Sequence, residues 1–197
     1  HLKANKADSK YSHIRLWGSI GFIVAALSLG VMIDSDGERS LIYALLITQL
    51  VIFFLAFILP EKKINFTKFN KRSIWPILKK REVIVLLLSC ALMVSSHGLL
   101  YNFYSIFLED QGYSGATIGL LWSVGVVFEI LIFLLMPKIL SKFTLKSVLL
   151  TSIAFAVLRF FLIGAYVDSI LILIAAQIMH AATFGSFHVA SIQLIAH

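Results

Sequence analysis

Three ionisable side chains stand inside long apolar runs: Glu129 in VGVVFEILIFLL, Arg159 in AFAVLRFFLIG and His180 in AAQIMHAATFG. A carboxyl, a guanidinium and an imidazole together can pass a proton. The carboxyl carries it, the cation decides by its distance whether the carboxyl holds it, and the imidazole extends the hydrogen-bonded chain. The alternative for the same residues is a static ion pair that ties helices together. An ionisable group at mid-bilayer costs about 2.5 to 3.5 kcal/mol on insertion scales, so such groups face a bundle interior and have partners.

Polar residues repeat on the same segments. Gln177, His180, Thr183, Phe184, Phe187, His188 and Ser191 recur at spacings of three and four, which puts them on one helix face. That face is expected to line a cavity, with Gln177 and His188 as substrate contacts; for His188 a buried helix–helix hydrogen bond is the other reading. His97, Tyr101, Asn102 and Ser105 follow a similar spacing upstream, and His97, Tyr101 and Asn102 join the candidate contacts, although aromatic residues there also suit an interfacial belt. In the first apolar segment Arg15, Ser19 and Phe22 are candidates; Gly18, Gly21 and Ala25 serve close helix packing, and Arg15 can instead snorkel to an interface.

The elements that must position these groups follow from composition. Of 197 residues 59% are hydrophobic and 14% charged, with a mean hydropathy of +0.93, whereas soluble domains are about a quarter charged. Six runs reach the roughly 20 residues that a helix needs to cross a hydrocarbon core: Arg15 to Ile33, Ser40 to Leu59, Val83 to Leu108, Thr117 to Pro137, Lys146 to Val167 and Ser169 to Ala196. The fold class is therefore all-α, a polytopic membrane protein. At 1.5 Å per residue, Glu129 lies ~20 Å from one end of its span, Arg159 ~20 Å from the opposite end of its own and His180 ~16 Å into the last, so all three reach similar depths.

Lys and Arg gather in alternate connections, as they do on the cytoplasmic side of short loops. Lys3, Lys6, Lys10 and Arg15 precede the first span, eight basic residues fill Glu61 to Glu82, and Lys138, Lys142 and Lys146 lie in the fourth connection. Those segments are expected to face the cytoplasm; DSDGER (34–39), EDQGYSG (109–115) and Asp168 face outward. Residues 61–82 make the best domain boundary, between two spans (1–60) and four (83–197). The chain opens without Met and ends after an apolar run, and is expected to be an internal piece of a longer protein. Cys90 is the single cysteine and lies inside a span, so no disulfide forms within the chain. The net charge of +7 is spread between apolar runs rather than gathered on a soluble face, which argues against nucleic acid. No cofactor motif is present.

YSHIRLWGSIGF (11–22), YNFYSIFLEDQGYSGATIGLLWSVGVVFEI (101–130) and QIMHAATFGSFHVA (177–190) resemble the phenylpropionate permease-like branch of the major facilitator superfamily, which is related to lactose permease. The resemblance covers almost the whole chain in one collinear order. It implies the fifth to tenth helices of a twelve-helix fold, with residues 61–82 as the central cytoplasmic loop, in a bacterial inner membrane. It also implies that Arg159 and His180 match positions of the permease's proton-translocating charge network. Thr183 stands where that network has an acidic residue, so Glu129 would substitute. Arg15 matches a sugar-bonding arginine and Phe22 a stacking tryptophan. MPKILSKFTLK (136–146) departs from the superfamily's loop motif, with Ser141 for Asp and Lys142 for Arg.

The expected function is secondary active transport of a small organic solute by alternating access, with proton symport. A Phe-lined cavity beside a cation suits an aromatic acid, a nucleoside or a sugar. The competing readings are an intramembrane metal-dependent enzyme using His180 and His188, for which no His-Glu-x-x-His or Gly-x-Ser-x-Gly pattern is present, and a non-transporting receptor on the same fold. No metal site is expected.

Overall fold

The computed structural model describes residues 2–59 and 75–196, with side chains from Trp17 to Ile195 where they are described. Among the described residues eight α-helices follow one another: α1 (Leu2–Asp36), α2 (Arg39–Ala56), the short α3 (Trp75–Leu78), α4 (Arg81–Asp110), α5 (Gly115–Leu140), α6 (Leu145–Ala165), α7 (Ile170–His180) and α8 (Phe187–Ala196). A π-helical segment, Ala181–Ser186, joins α7 to α8 in one continuous span. Among the described residues there is no strand, and six helices are long and apolar enough to cross a membrane. The helical state follows from the solvent, because backbone groups in hydrocarbon must bond within their own segment. Most large apolar side chains point outward, as a lipid-facing surface requires.

The spans agree with those expected from hydropathy to within a few residues, with two differences. Helix α1 begins at Leu2 and runs through the polar stretch before its apolar part. Pro137 sits inside α5, whose last residue is Leu140, rather than closing it. Two of the tight connections use glycine: Gly37 (φ +80°) and Gly112 (φ +85°) adopt left-handed backbone that other residues resist. Ser114 and Thr144 cap α5 and α6, their hydroxyls accepting from the amides of Thr117 and Ser147 at 3.2 Å each. Of the basic connection, residues 60–74 lie outside the described residues.

Helices α4 to α8 pack into one body with two apolar clusters. One gathers Leu100, Tyr104, Leu108, Leu121, Ile163 and Leu173 near the acidic connections. The other gathers Met93, Met136, Val148, Ala156 and Phe187 toward the basic ones. Along α4, α6 and the last span, buried His97, Arg159, Gln177, His180 and Thr183 fall between the two in sequence, forming a polar layer inside the bundle. Helix α1 leans on this body almost entirely through α5, and α2 leans on α1.

Candidate functional site

The α1–α5 crossing is built from small residues. A Cβ on Gly30 would collide with the carbonyl of Gly115, one on Gly119 with the carbonyl of Ala26, and one on Gly115 would come 2.6 Å from the Gly30 oxygen. One turn further along each helix the residues become large and the helices part. A cavity of ≈ 600 Å³ opens there, lined by Gly18, Ser19 and Phe22 of α1, Tyr101 and Ser105 of α4, Trp122, Val126 and Glu129 of α5, and His180. Small-molecule sites span roughly 300 to 1,000 Å³. Trp122, Val126 and Glu129 are four and three residues apart, so α5 turns one face to the space.

Of the residues singled out in the sequence, Ser19, Phe22, Tyr101, Glu129 and His180 line this cavity. His97, Arg159 and Gln177 are buried among the helices and do not reach the cavity surface. Asn102 turns away: it is exposed, and its amide donates to Gly98 O of its own helix at 2.7 Å. His188 is also exposed, outside the cavity, with its ring stacked 6.2 Å from Phe184. The side chain of Arg15 lies outside the described residues.

Behind the cavity wall the polar groups bond mostly to neutral oxygens. Arg159 Nε donates to Ala176 O at 2.9 Å and Nη2 to Gln177 Oε1 at 3.5 Å, with the guanidinium 5.5 Å from the centre of the Phe160 ring. Gly125 makes room for this arrangement, since a Cβ there would stand 3.0 Å from Gln177 Oε1. His97 Nδ1 faces Met93 O at 3.0 Å, so that nitrogen carries hydrogen, and Nε2 lies 3.3 Å from Thr183 Oγ1. Tyr101 Oη and His180 Nε2 are 3.5 Å apart. Glu129 and His180 thus share the cavity, while the hydrogen bonds of Arg159 run to Ala176 and Gln177 one layer deeper.

Two features escape a reading of spacing alone. Trp122 lines the cavity, donates Nε1–H to Ser105 Oγ at 3.0 Å and meets Tyr104 edge-on at 5.4 Å; its signal is its position two turns before Glu129. The π-helical segment lies beside the polar layer, as such wide turns often do at functional sites. Within it Thr183 is buried against His97, and Phe184 stacks on His180 at 5.4 Å. Among the described residues, no group of three or more His, Cys, Asp or Glu is placed to hold a metal.

Long apolar helices with a polar layer in their interior, and a solute-sized cavity where two of them part, define the class of polytopic helical transporters. The chain matches the MFS_1 like family over residues 1–197 and belongs to that family, a branch of the major facilitator transporters. It is 31% identical over 191 residues to the probable 3-phenylpropionic acid transporter of Escherichia coli (strain K12), an alignment that covers 94% of this chain and 50% of that protein. To the uncharacterized transporter YwbF of Bacillus subtilis (strain 168) it is 25% identical over 194 residues, covering 96% and 48%. The chain therefore spans about half the length of the curated relatives it matches. No solved structure matches it significantly. Family and relatives belong with transporters rather than enzymes.

Proposed function

We propose that the protein moves a small aromatic acid across a bacterial inner membrane by alternating access, in symport with protons. The observation that carries this reading is the cavity itself: Phe22, Tyr101 and Trp122 offer ring faces, and Glu129 and His180 offer titratable groups, between α1 and the α4–α8 body. Aromatic walls favour a flat apolar solute over a sugar or a nucleoside, and a relative named for 3-phenylpropionic acid points the same way. In this proposal α1 and α2 end the first half-bundle, residues 61–82 form the cytoplasmic central loop, and α4 to α8 begin the second half-bundle. The basic connections face the cytoplasm, so the glycine-lined crossing closes the outer side.

Glu129 carries the proton. His180 and Tyr101 extend the hydrogen-bonded chain from the cavity toward the polar layer, and Arg159, on the next helix of the same half-bundle, supplies a positive charge whose hold on Glu129 changes as rocking of the halves opens and closes the cavity to water. Serine and aromatic groups on α1, Ser19 and Phe22, close around the solute from the other half. The test is uptake of labelled 3-phenylpropionate by the full-length protein in energised vesicles. A protonophore is expected to abolish accumulation, and Glu129→Gln to remove uphill uptake while leaving exchange of internal for external solute. Accumulation that survives both treatments would sink the symport.

A further inference from the structure

Arg159 is wholly buried, and so is Gln177; Tyr104 is 2% and His180 3% exposed. Each of these four side chains keeps one polar atom that meets no partner at good hydrogen-bond geometry, Arg159 Nη1, Gln177 Nε2, Tyr104 Oη and His180 Nδ1, although Gln177 and Tyr104 make a loose side-chain hydrogen bond with each other. The first two can only donate, and the other two are able to. They are neighbours. Gln177 Oε1 receives Arg159 Nη2, the Tyr104 hydroxyl lies beside Gln177, and the charge of Arg159 acts on both Tyr104 and His180. The hydrogen bonds of Arg159 go to a carbonyl and an amide oxygen, both neutral acceptors. Buried donors left poorly paired are expensive to maintain for stability alone. Donors from α4, α6 and α7 around one guanidinium are what a carboxylate requires, because its two oxygens accept about four hydrogen bonds and its charge is opposite.

This group is one side-chain layer from the cavity. Tyr101, Trp122 and His180 are cavity wall; behind them, Trp122 packs on Tyr104 and His180 feels Arg159. The wall is closed by the 3.5 Å contact between Tyr101 Oη and His180 Nε2, at the long limit of a hydrogen bond, and Tyr101 is 43% exposed on the cavity side. A turn of the Tyr101 side chain about its own bonds would part this contact.

We propose that Arg159, Gln177 and Tyr104 form a carboxylate-binding subsite behind the Tyr101–His180 wall, which receives the anionic end of the transported solute while its ring stays between Phe22 and Trp122. The proposal rests on the reading of the cavity as the solute site, and deepens it: the solute binds as a monoanion, and its carboxylate and Glu129 compete for the one positive charge of Arg159. A neutral aromatic of the same shape lacks the second half of the contact.

The experiment is equilibrium binding to the purified full-length protein of radiolabelled 3-phenylpropionate and of its neutral isostere 3-phenylpropanamide, in chloride and in gluconate buffer. Wild type is expected to prefer the acid. Arg159→Gln is expected to weaken the acid about thirtyfold or more, the effect of removing one partner of a buried charge pair, and to weaken the amide only about three- to tenfold, one neutral hydrogen bond. Tyr104→Phe and Gln177→Leu are expected to weaken the acid about three- to tenfold, one neutral hydrogen bond each; they carry the test if the arginine variant does not fold. Equal binding of acid and amide by wild type, or wild-type affinity for the acid in all three variants, overturns the subsite. Chloride that occupies the site while the acid does not compete with it assigns the donors to an inorganic anion and overturns it as well. Acid binding that depends on these residues without flux in vesicles overturns the transport reading and keeps the subsite; flux of a neutral solute with no acid binding does the reverse.

Discussion

Asp34 closes over the start of α5 through Gly115: its Oδ1 accepts the Gly115 amide at 2.6 Å, and Oδ2 takes the Ala116 amide at 2.8 Å. A carboxylate in line with a helix axis, bonded to the first free amides, satisfies orphan donors and opposes the positive end of the helix dipole at once. The bond spans 81 residues of sequence and fastens α1 to α5 at the end where their glycines touch. In the proposed transport cycle these two bonds act as a latch on that end of the cavity.

Asp34→Ala is therefore expected to favour opening at that end. Loss of an N-capping side chain costs about 0.5 to 2 kcal/mol, enough to shift a two-state equilibrium by roughly two- to thirtyfold. Spin labels at Asp36, the last residue of α1, and at Gln111, just before α5, in the full-length protein should report a longer distance component in the variant. Asp34→Asn keeps one acceptor and should fall between. An unchanged distance distribution in both variants would show that the latch has no part in closure.

The glycine crossing makes a harder demand. Backbone approaches this close tolerate no Cβ at Gly30 or Gly119, because the obstructing atoms are carbonyl groups rather than flexible side chains. Gly30→Leu and Gly119→Leu should block closure of this end, abolish net uptake and leave solute binding from that side intact. Gly21, around which there is open space, supplies the control: leucine there should leave uptake within about twofold, the range of a surface change. Equal sensitivity at all three positions would remove the crossing from the mechanism.

The six spans were legible because a run of apolar residues long enough to cross hydrocarbon has one backbone solution, and Ser40 to Leu59 as expected against Arg39–Ala56 as found differ only at the fraying ends. Tyr101, Glu129 and His180 were legible for a related reason, since intramembrane polar groups turn toward the bundle. What spacing cannot supply is the depth between helices. Gln177 shares a helical face with His180, yet Arg159 and Gly125 draw it behind the wall. Asn102 is one residue from Tyr101, a rotation of 100°, which turns its amide back to Gly98. The π-helical segment has no compositional mark, and the extra residue in its turn shifts the phase of the last span; His188, expected on the buried face, ends exposed. Trp122 carries no charge, and only the parting of α1 from α5 reveals it as cavity wall.

Trp122 gives a prediction about affinity. Its indole lies 5.7 Å from Tyr101 and 5.4 Å from Tyr104, and its N–H is held by Ser105, so the ring is fixed before a solute arrives. An aromatic pair contributes about 0.5 to 1.5 kcal/mol beyond its buried area. Trp122→Phe should raise the KM for an aromatic acid about two- to tenfold with little change in kcat, and Trp122→Ala should raise it further. Ser105→Ala frees the indole and should produce a smaller rise. A fall in kcat at constant KM would assign Trp122 to the conformational step instead.

Thr183 tests whether the polar layer holds the π-helical segment in place. Its hydroxyl lies 3.1 Å from His180 O and 3.3 Å from His97 Nε2, all buried. With Nδ1 of the neutral ring donating to Met93 O, Nε2 is an acceptor, so the one hydroxyl hydrogen goes either to Nε2 or to the His180 carbonyl. Thr183→Val keeps the shape and removes that hydrogen, at a cost of about 1 to 3 kcal/mol for a buried polar atom left unpaired. The full-length variant should therefore melt at a lower temperature than wild type in detergent. Thr183→Ser restores the hydroxyl and should restore the melting temperature. If valine and serine behave alike, the methyl packing of Thr183, and not its hydroxyl, is what joins α4 to the last span.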